Sequence, residues 1–369
     1  MILSVMIMKK TGKIFYALLL VFIFCMCIAD YHCIAKAVTD ALKRCLCTLI
    51  PSLYAVMTVS YLITESGVVS LFPKWSEKIS EKLFGISRTE FFIFSFSMFS
   101  GYPVGTRMIL SEYKKGRIPK KRAEILCGIC CGAGPSFIFG CVSGILYKSA
   151  ETGVFIALTV TSANAVLMLV MSLWLRKNKA ARHESEDFCL SAEMLNESII
   201  ENGHTLMNVC FVTTAFSVFS EILSVLGFYG AFSEIVSSFS HIPKETVNAF
   251  MYSLADITNI SRLPKGDYTI LPYICGLVSF SGVCVLFQLY SVVSGYLSVK
   301  PIIAMRIISA FLSGIICRLI LPFYMKYELT AVSKITIQPY SAQSPVPSVM
   351  LIIMTLMLFA QSRKNVRYR

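Results

Sequence analysis

Thr89-Glu90-Phe91-Phe92-Ile93-Phe94-Ser95-Phe96-Ser97-Met98-Phe99-Ser100-Gly101-Tyr102-Pro103-Val104-Gly105-Thr106-Arg107-Met108-Ile109-Leu110 is apolar enough to enter a membrane, yet Gly101-Tyr102-Pro103-Val104-Gly105 interrupts it at its centre. Proline has no N–H to donate and its ring clashes with the preceding turn; glycine gains nothing from helix formation. In lipid, an interruption leaves N–H and C=O groups unpaired at several kcal/mol each, so it survives only when buried in protein or lining a cavity. The segment therefore predicts a polytopic helical membrane protein with an internal site. A second interrupted segment, Glu245 to Ile260, is broken by Ala255-Asp256-Ile257-Thr258-Asn259.

Composition points the same way. Of 369 residues, 56% are hydrophobic and 15% charged, and the mean hydropathy is +0.69. A soluble chain of this length needs more polar surface. A helix crossing a hydrocarbon core of about 30 Å needs roughly 17 to 25 apolar residues. That ruler predicts spans at Ile14 to Ala29, Leu49 to Ser66, Glu124 to Tyr147, Gly153 to Leu175, Leu206 to Leu226, Tyr268 to Ser294, Ile302 to Tyr324 and Val346 to Ala360. The basic flank Lys9, Lys10 and Lys13 gives the first run a signal-like start. No small-x-small cleavage pattern follows it, so it is expected to stay as the first helix.

The formal net charge of +13 would suit a nucleic-acid binder. Here the basic residues fall in short runs between apolar segments, which points to membrane topology and away from nucleic acid. If both interrupted segments are re-entrant, Lys74/Lys78/Lys82/Arg88, Lys114 to Arg122, Arg176 to Arg182 and Arg363 to Arg369 all lie inside, with Lys36, Lys43 and Arg44 the main exceptions outside. The expectation is eight spans, two re-entrant broken hairpins and both termini cytoplasmic. Amphipathic stretches sit between them. Cys33, Ala37, Ala41, Cys45 and Leu49 oppose Lys36, Asp40, Lys43 and Arg44; Phe72, Trp75, Ile79 and Leu83 oppose Lys78, Glu81 and Lys82. Both suit the membrane interface.

The fourteen cysteines include Cys127, Cys130 and Cys131 at near-ligand spacing. Cys25, Cys27, Cys141, Cys210, Cys275, Cys284 and Cys317 lie in equally apolar surroundings, where cysteine packs as a small hydrophobe. His32, His183, His204 and His241 are scattered. No metal site, cofactor or catalytic nucleophile–base pair is expected, and the chain is not read as an enzyme.

Sliding the chain on itself by about 156 positions exposes a repeat. Val56 falls on Val212, Thr58 on Thr214, Glu65 on Glu221, Ile86 on Ile242, Phe94 on Phe250 and Ser97 on Ser253; beyond the hairpins, Gly134 falls opposite Gly282. Each half reads as amphipathic helix, span, amphipathic helix, broken segment, loop and long span. The divisions are 1–32, an N-terminal transmembrane helix; 33–176, the first repeat; 177–189, a cytoplasmic linker; 190–325, the second repeat; and 326–369, a C-terminal segment with the short last span. Leu49 to Ser66 runs inward and Leu206 to Leu226 outward, so the repeats are inverted. Transporters of that architecture bind substrate near the midplane, where the repeats meet. A non-transporting descendant is the alternative.

Helix ends opened at Gly101, Pro103 and Gly105, and again at Gly132, Gly134 and Pro135, present amides to anionic or polar groups and carbonyls to cations. Glycines there also serve close helix packing. Asp256 is costly in lipid, hence paired or functional; its structural alternative is to cap the second half-helix of its hairpin. Thr258, Asn259 and Gln288 add hydrogen-bonding groups, and Tyr102 completes the expected substrate-binding set. Glu65 and Glu221 end matching spans, where interfacial solvation is the simple reading. Arg107 either contacts an anion or snorkels to the cytoplasmic surface.

Four blocks carry a family resemblance: Phe99-Ser100-Gly101-Tyr102-Pro103-Val104-Gly105, Ala133-Gly134-Pro135-Ser136-Phe137-Ile138-Phe139-Gly140, Asp256-Ile257-Thr258-Asn259, and Phe280-Ser281-Gly282-Val283 with Gln288. In that order, over nearly the whole chain, they resemble the YlbJ-type sporulation integral membrane proteins, within the broader nucleoside-recognition or Gate-domain group. The resemblance implies a multi-pass cell-membrane protein of an endospore-forming bacterium, needed to make the spore cortex. It would move or sense a small polar solute, nucleoside-like or cell-wall-related; the alternative is a scaffold recruiting cortex-assembly partners through its basic loops. Expected partners are that solute and membrane lipids, with a homo-oligomer or sporulation membrane partners left open. Where this family usually has an Asn pair before Gly-Pro, this chain has Cys131 and Gly132, which removes amide side chains from the first break.

Overall fold

The computed structural model describes residues 17–68, 75–177, 189, 191–240 and 242–331. Ile14 to Tyr16, Phe72 and Lys74, most of the linker, the span Val346 to Ala360 and the tail Arg363 to Arg369 lie outside them. Every regular element among the described residues is helical.

Helix α1 (Ala17–Ala29) meets α2 (Tyr31–Arg44) at a bend of 92°. From α2 the helical backbone continues through a π-helical turn, Cys45–Leu49, into α3 (Ile50–Glu65). Pro51 explains that turn, because its ring would clash with the carbonyl four residues back, and widening the helix relieves the clash. A short helix, α4 (Trp75–Ile79), and a π turn lead to α5 (Arg88–Ser100). A capping box starts α5: the Ser87 hydroxyl accepts from the Glu90 amide at 3.3 Å, and the Glu90 carboxylate accepts from the Ser87 amide at 2.7 Å.

After the break at Gly101 come α6 (Val104–Lys114) and α7 (Lys120–Ile129). Residues 131–134 then interrupt the chain before α8 (Pro135–Tyr147) and the long α9 (Ala150–Lys177). The second part has α10 (Ala192–Val225), α11 (Phe228–Ser240), α12 (Lys244–Ala255) and a 3₁₀ turn at Ile257–Arg262. It ends with α13 (Leu271–Phe280), α14 (Gly282–Val293) and α15 (Val299–Ala331).

The α2–α3 unit lies along α10. Arg44 donates to the Ser217 hydroxyl at 3.0 Å, the Tyr54 hydroxyl to the Ile199 carbonyl at 3.3 Å, and the Ser198 hydroxyl to the Thr58 carbonyl at 3.0 Å. Residue numbers rise on one helix as they fall on the other, so the pair is antiparallel. Helix α15 packs on α13, α7 and α9, and a buried apolar core joins α5 to α9 with α13 to α15.

This is an α-helical, multi-pass membrane protein. Helices α9, α10, α13–α14 and α15 are long and apolar enough to cross a membrane, and the bent α1–α2 pair makes a fifth if taken as one span. They carry large exposed apolar side chains such as Leu173, Phe311 and Phe323, which suit contact with lipid. The sequence reading expects eight. Glu124 to Tyr147 is split by the irregular residues 131–134, Leu49 to Ser66 supplies only the 16-residue α3, and Val346 to Ala360 lies outside the described residues. Arg122, counted from sequence among cytoplasmic loop charges, is fully buried and donates from Nε and Nη2 to the two Glu90 oxygens at 2.5 and 2.6 Å.

Candidate functional site

The two breaks of the first part touch through their backbones. A Cβ added to Gly101 would lie 3.1 Å from the Gly134 nitrogen, and one added to Gly134 would lie 3.1 Å from the Gly101 Cα. Gly101 has φ 77° and ψ 177°, a region open essentially to glycine alone. Gly105 lets α6 close on α7, since a Cβ there would fall 2.0 Å from the Cys130 carbonyl oxygen. Pro103 and Pro135 stand at the starts of α6 and α8, positions where a missing N–H costs nothing. The N-termini of these two helices are therefore held side by side.

The breaks of the second part touch as well. A Cβ on Gly282 would lie 2.9 Å from the Ile257 nitrogen, so the α13–α14 break rests on the α12 break. Ser281, just before it, is a buried non-glycine residue at φ 80°. That conformation is strained for serine, and such strain gathers at functional sites. Across the two parts, the buried Tyr102 hydroxyl lies toward Ser281 without the geometry of a hydrogen bond.

Asp256 caps the 3₁₀ turn, its Oδ1 accepting from the Thr258 amide at 3.0 Å. Its Oδ2 and the Thr258 hydroxyl are buried without a partner among the described residues. Asn259 donates to the Tyr252 carbonyl at 3.4 Å, and Gln288 donates to the Thr213 hydroxyl of α10 at 3.0 Å. The expected residues thus form two linked clusters, glycines and prolines around Gly101–Gly134 and polar groups around Asp256, which meet at Tyr102 and Ser281.

Arg306 and Asn164 escape the sequence reading. Arg306, on α15, is fully buried. Its Nη1 donates to the Gly128 carbonyl near the end of α7 at 3.2 Å and to Asn164 Oδ1 at 3.4 Å, while Nε and Nη2 have no partner among the described residues. Asn164 also accepts from the Ser309 hydroxyl at 2.7 Å, and its Nδ2 stands 3.4 Å from where a Gly132 Cβ would be. An amide side chain is thus present at the first break, supplied by α9. A charged residue inside an apolar span is the signal that would have found Arg306.

Two clefts reach these breaks. One, of about 580 Å³, lies between α3, α6 and the start of α10; Ser60, Tyr61, Thr64, Glu65, Val104 and Arg107 line it. The other, of about 420 Å³, lies between α2, the end of α10 and the 3₁₀ turn, with Arg44, Ser217, Ser220, Glu221, Asn259 and Arg262 on its walls. They occupy opposite ends of the antiparallel α2–α3/α10 pair. Glu65 is not simply solvated: it accepts from the Ser111 hydroxyl at 2.8 Å and pairs with Lys115 at 2.9 Å. Arg107 bonds to Asn202 and pairs with Glu201 at 3.7 Å. Among the described residues, no group of three or more His, Cys, Asp or Glu is placed to hold a metal ion. No family model, curated protein or solved structure matches the chain.

Proposed function

We propose that this chain is a membrane transporter for a small polar solute, built from two inverted repeats that meet at the four helix breaks. The order of elements supports the repeat. The kinked α2–α3 answers to α10, α4 to α11, the α5–α6 break to the α12–3₁₀ break, the α7–α8 break to the α13–α14 break, and α9 to α15. The antiparallel packing of α2–α3 against α10 is what inversion requires.

The observation that carries transport is the pair of clefts. At the offset of about 156 positions, Tyr61, Thr64 and Glu65 of the first fall on Ser217, Ser220 and Glu221 of the second. Each cleft descends to a break, at Val104 in one case and Asn259 in the other. Equivalent clefts opening to opposite faces are the geometry of alternating access around a central site. On the topology read from Lys and Arg, the Lys114 and Lys115 cleft is cytoplasmic and both termini are cytoplasmic. The setting proposed, spore-cortex formation, rests on the sequence resemblance alone, and the nucleoside-like or cell-wall-related solute is part of the same proposal.

The test uses single cysteines in a background lacking the native ones. Thr64→Cys should react with a membrane-impermeant maleimide only from the cytoplasmic side and Ser220→Cys only from the outside. Reaction of both from the same side would refute inversion and, with it, transport by this route.

A further inference from the structure

Resting on the transport reading, we propose that Arg306 binds an oxyanion at the first break, so that the transported solute carries a carboxylate or a phosphate ester. A buried charge without a partner is costly, and native structures pair it or use it. Among the described residues no carboxylate pairs with Arg306; its hydrogen bonds go to the Gly128 carbonyl and to Asn164, which stands beside Gly132 of the first break. Its Nε and Nη2, which together form one edge of the guanidinium, have no acceptor among the described residues.

Arg122 shows what that edge does elsewhere in this protein. Its Nη1 donates to a backbone carbonyl, Leu175, at 2.5 Å, and its Nε and Nη2 grip both oxygens of Glu90 at 2.5 and 2.6 Å. Arg306 repeats the first half of that arrangement, Nη1 on the Gly128 carbonyl, while its outer edge is presented to no acidic side chain. The fork fits the two oxygens of a carboxylate or phosphate.

The surroundings suit an anion. Asn164, bonded to Arg306, stands 3.4 Å from where a Gly132 Cβ would be, and the Gly101–Gly134 contact holds the N-termini of α6 and α8 together. Helix N-termini carry partial positive charge and exposed amides. A cationic solute would meet like charge here. Arg306 is fully enclosed by protein, so the geometry favours a soluble anion over a lipid headgroup.

The experiment is thermal unfolding of the purified full chain in neutral detergent. Inorganic phosphate and acetate are titrated against sodium chloride at matched ionic strength, with a separate arm in micelles containing phosphatidylglycerol. Phosphate or acetate should raise the midpoint saturably where chloride does not. Charge-assisted bonds are worth about 1.5 to 3 kcal/mol, so Arg306→Gln should raise the half-saturating concentration about 10- to 100-fold, and Arg306→Lys, which keeps charge but loses the fork, about tenfold. Should these variants fail to fold, Asn164→Asp sets a carboxylate against the guanidinium and should abolish the anion response. No stabilisation beyond chloride, stabilisation by phosphatidylglycerol alone, or an unchanged response in Asn164→Asp would each overturn the proposal. Correct two-sided labelling without an anion response sinks this inference alone. An anion response with same-side labelling sinks the transport reading and leaves the site.

Discussion

Gly101 and Gly134 face each other so closely that a methyl group on either would lie 3.1 Å from the other's backbone. The neighbour on each side is main chain, which cannot swing away as a side chain can. Gly101→Ala adds a strained backbone to this contact and should cost about 1 to 3 kcal/mol. Gly134→Ala should also destabilise, by separating the starts of α6 and α8. Gly132→Ala is the control: its Cβ would meet Asn164 Nδ2 at 3.4 Å and Met98 at 3.8 Å, ordinary contact distances. Thermal unfolding of the three proteins in detergent checks the order, and a Gly132 variant as damaged as Gly101 would contradict it.

Glu90 holds α5 and α7 together, since it closes the Ser87 capping box and grips Arg122. Removing one partner of a buried pair strands the other charge and costs about 3 to 5 kcal/mol. Glu90→Leu and Arg122→Met should each fall in that range. The double variant should lose far less than their sum, about 1 kcal/mol of it from the lost cap. Additive losses in a double-mutant cycle would mean the two groups are not coupled.

The breaks were legible because Gly101-Tyr102-Pro103 and Gly132 to Pro135 are glycine and proline inside apolar runs, a local signal. Asp256 was legible because it is a charge in such a run. Its dual state, one oxygen capping and the other unpartnered, depends on how the 3₁₀ turn closes and has no sequence signature. Arg306 was hidden by its position, four residues into an expected span and near a helix end, where a basic side chain is expected to snorkel. Only the fold of α15 against α7 and α9 turns it inward. Span lengths were misjudged for a related reason: hydropathy sums over 131–134 as if the chain continued straight, whereas α7 and α8 are separate helices.

Asp256→Asn keeps volume and capping ability, because Asn caps as well as Asp, and removes only the charge. The protein should accumulate in the membrane at wild-type levels; on the proposed sporulation role it should nonetheless give spores with defective cortex and poor heat resistance. Asp256→Ala should lose about 1 kcal/mol of stability besides, from the lost cap. Asn259→Ala, on the wall of the second cleft, should reproduce the spore defect. Normal spores from Asp256→Asn and Asn259→Ala proteins that accumulate normally would remove these residues from function.

A scaffold would instead depend on its basic loop, and the structure says which residues test that cleanly. Arg122 is unsuitable, being buried against Glu90, and Lys115 pairs with Glu65. Lys114 lies over the Tyr296 ring at 4.1 Å, so its loss would disturb packing. Lys120 and Lys121 are exposed at the start of α7, where a positive charge opposes the helix dipole and contributes nothing to the fold. Lys120→Gln/Lys121→Gln should therefore fold as well as wild type or slightly better. If the chain works through its clefts, these cells should form heat-resistant spores at the wild-type frequency. A cortex defect with undiminished protein levels would favour partner recruitment by this loop over transport.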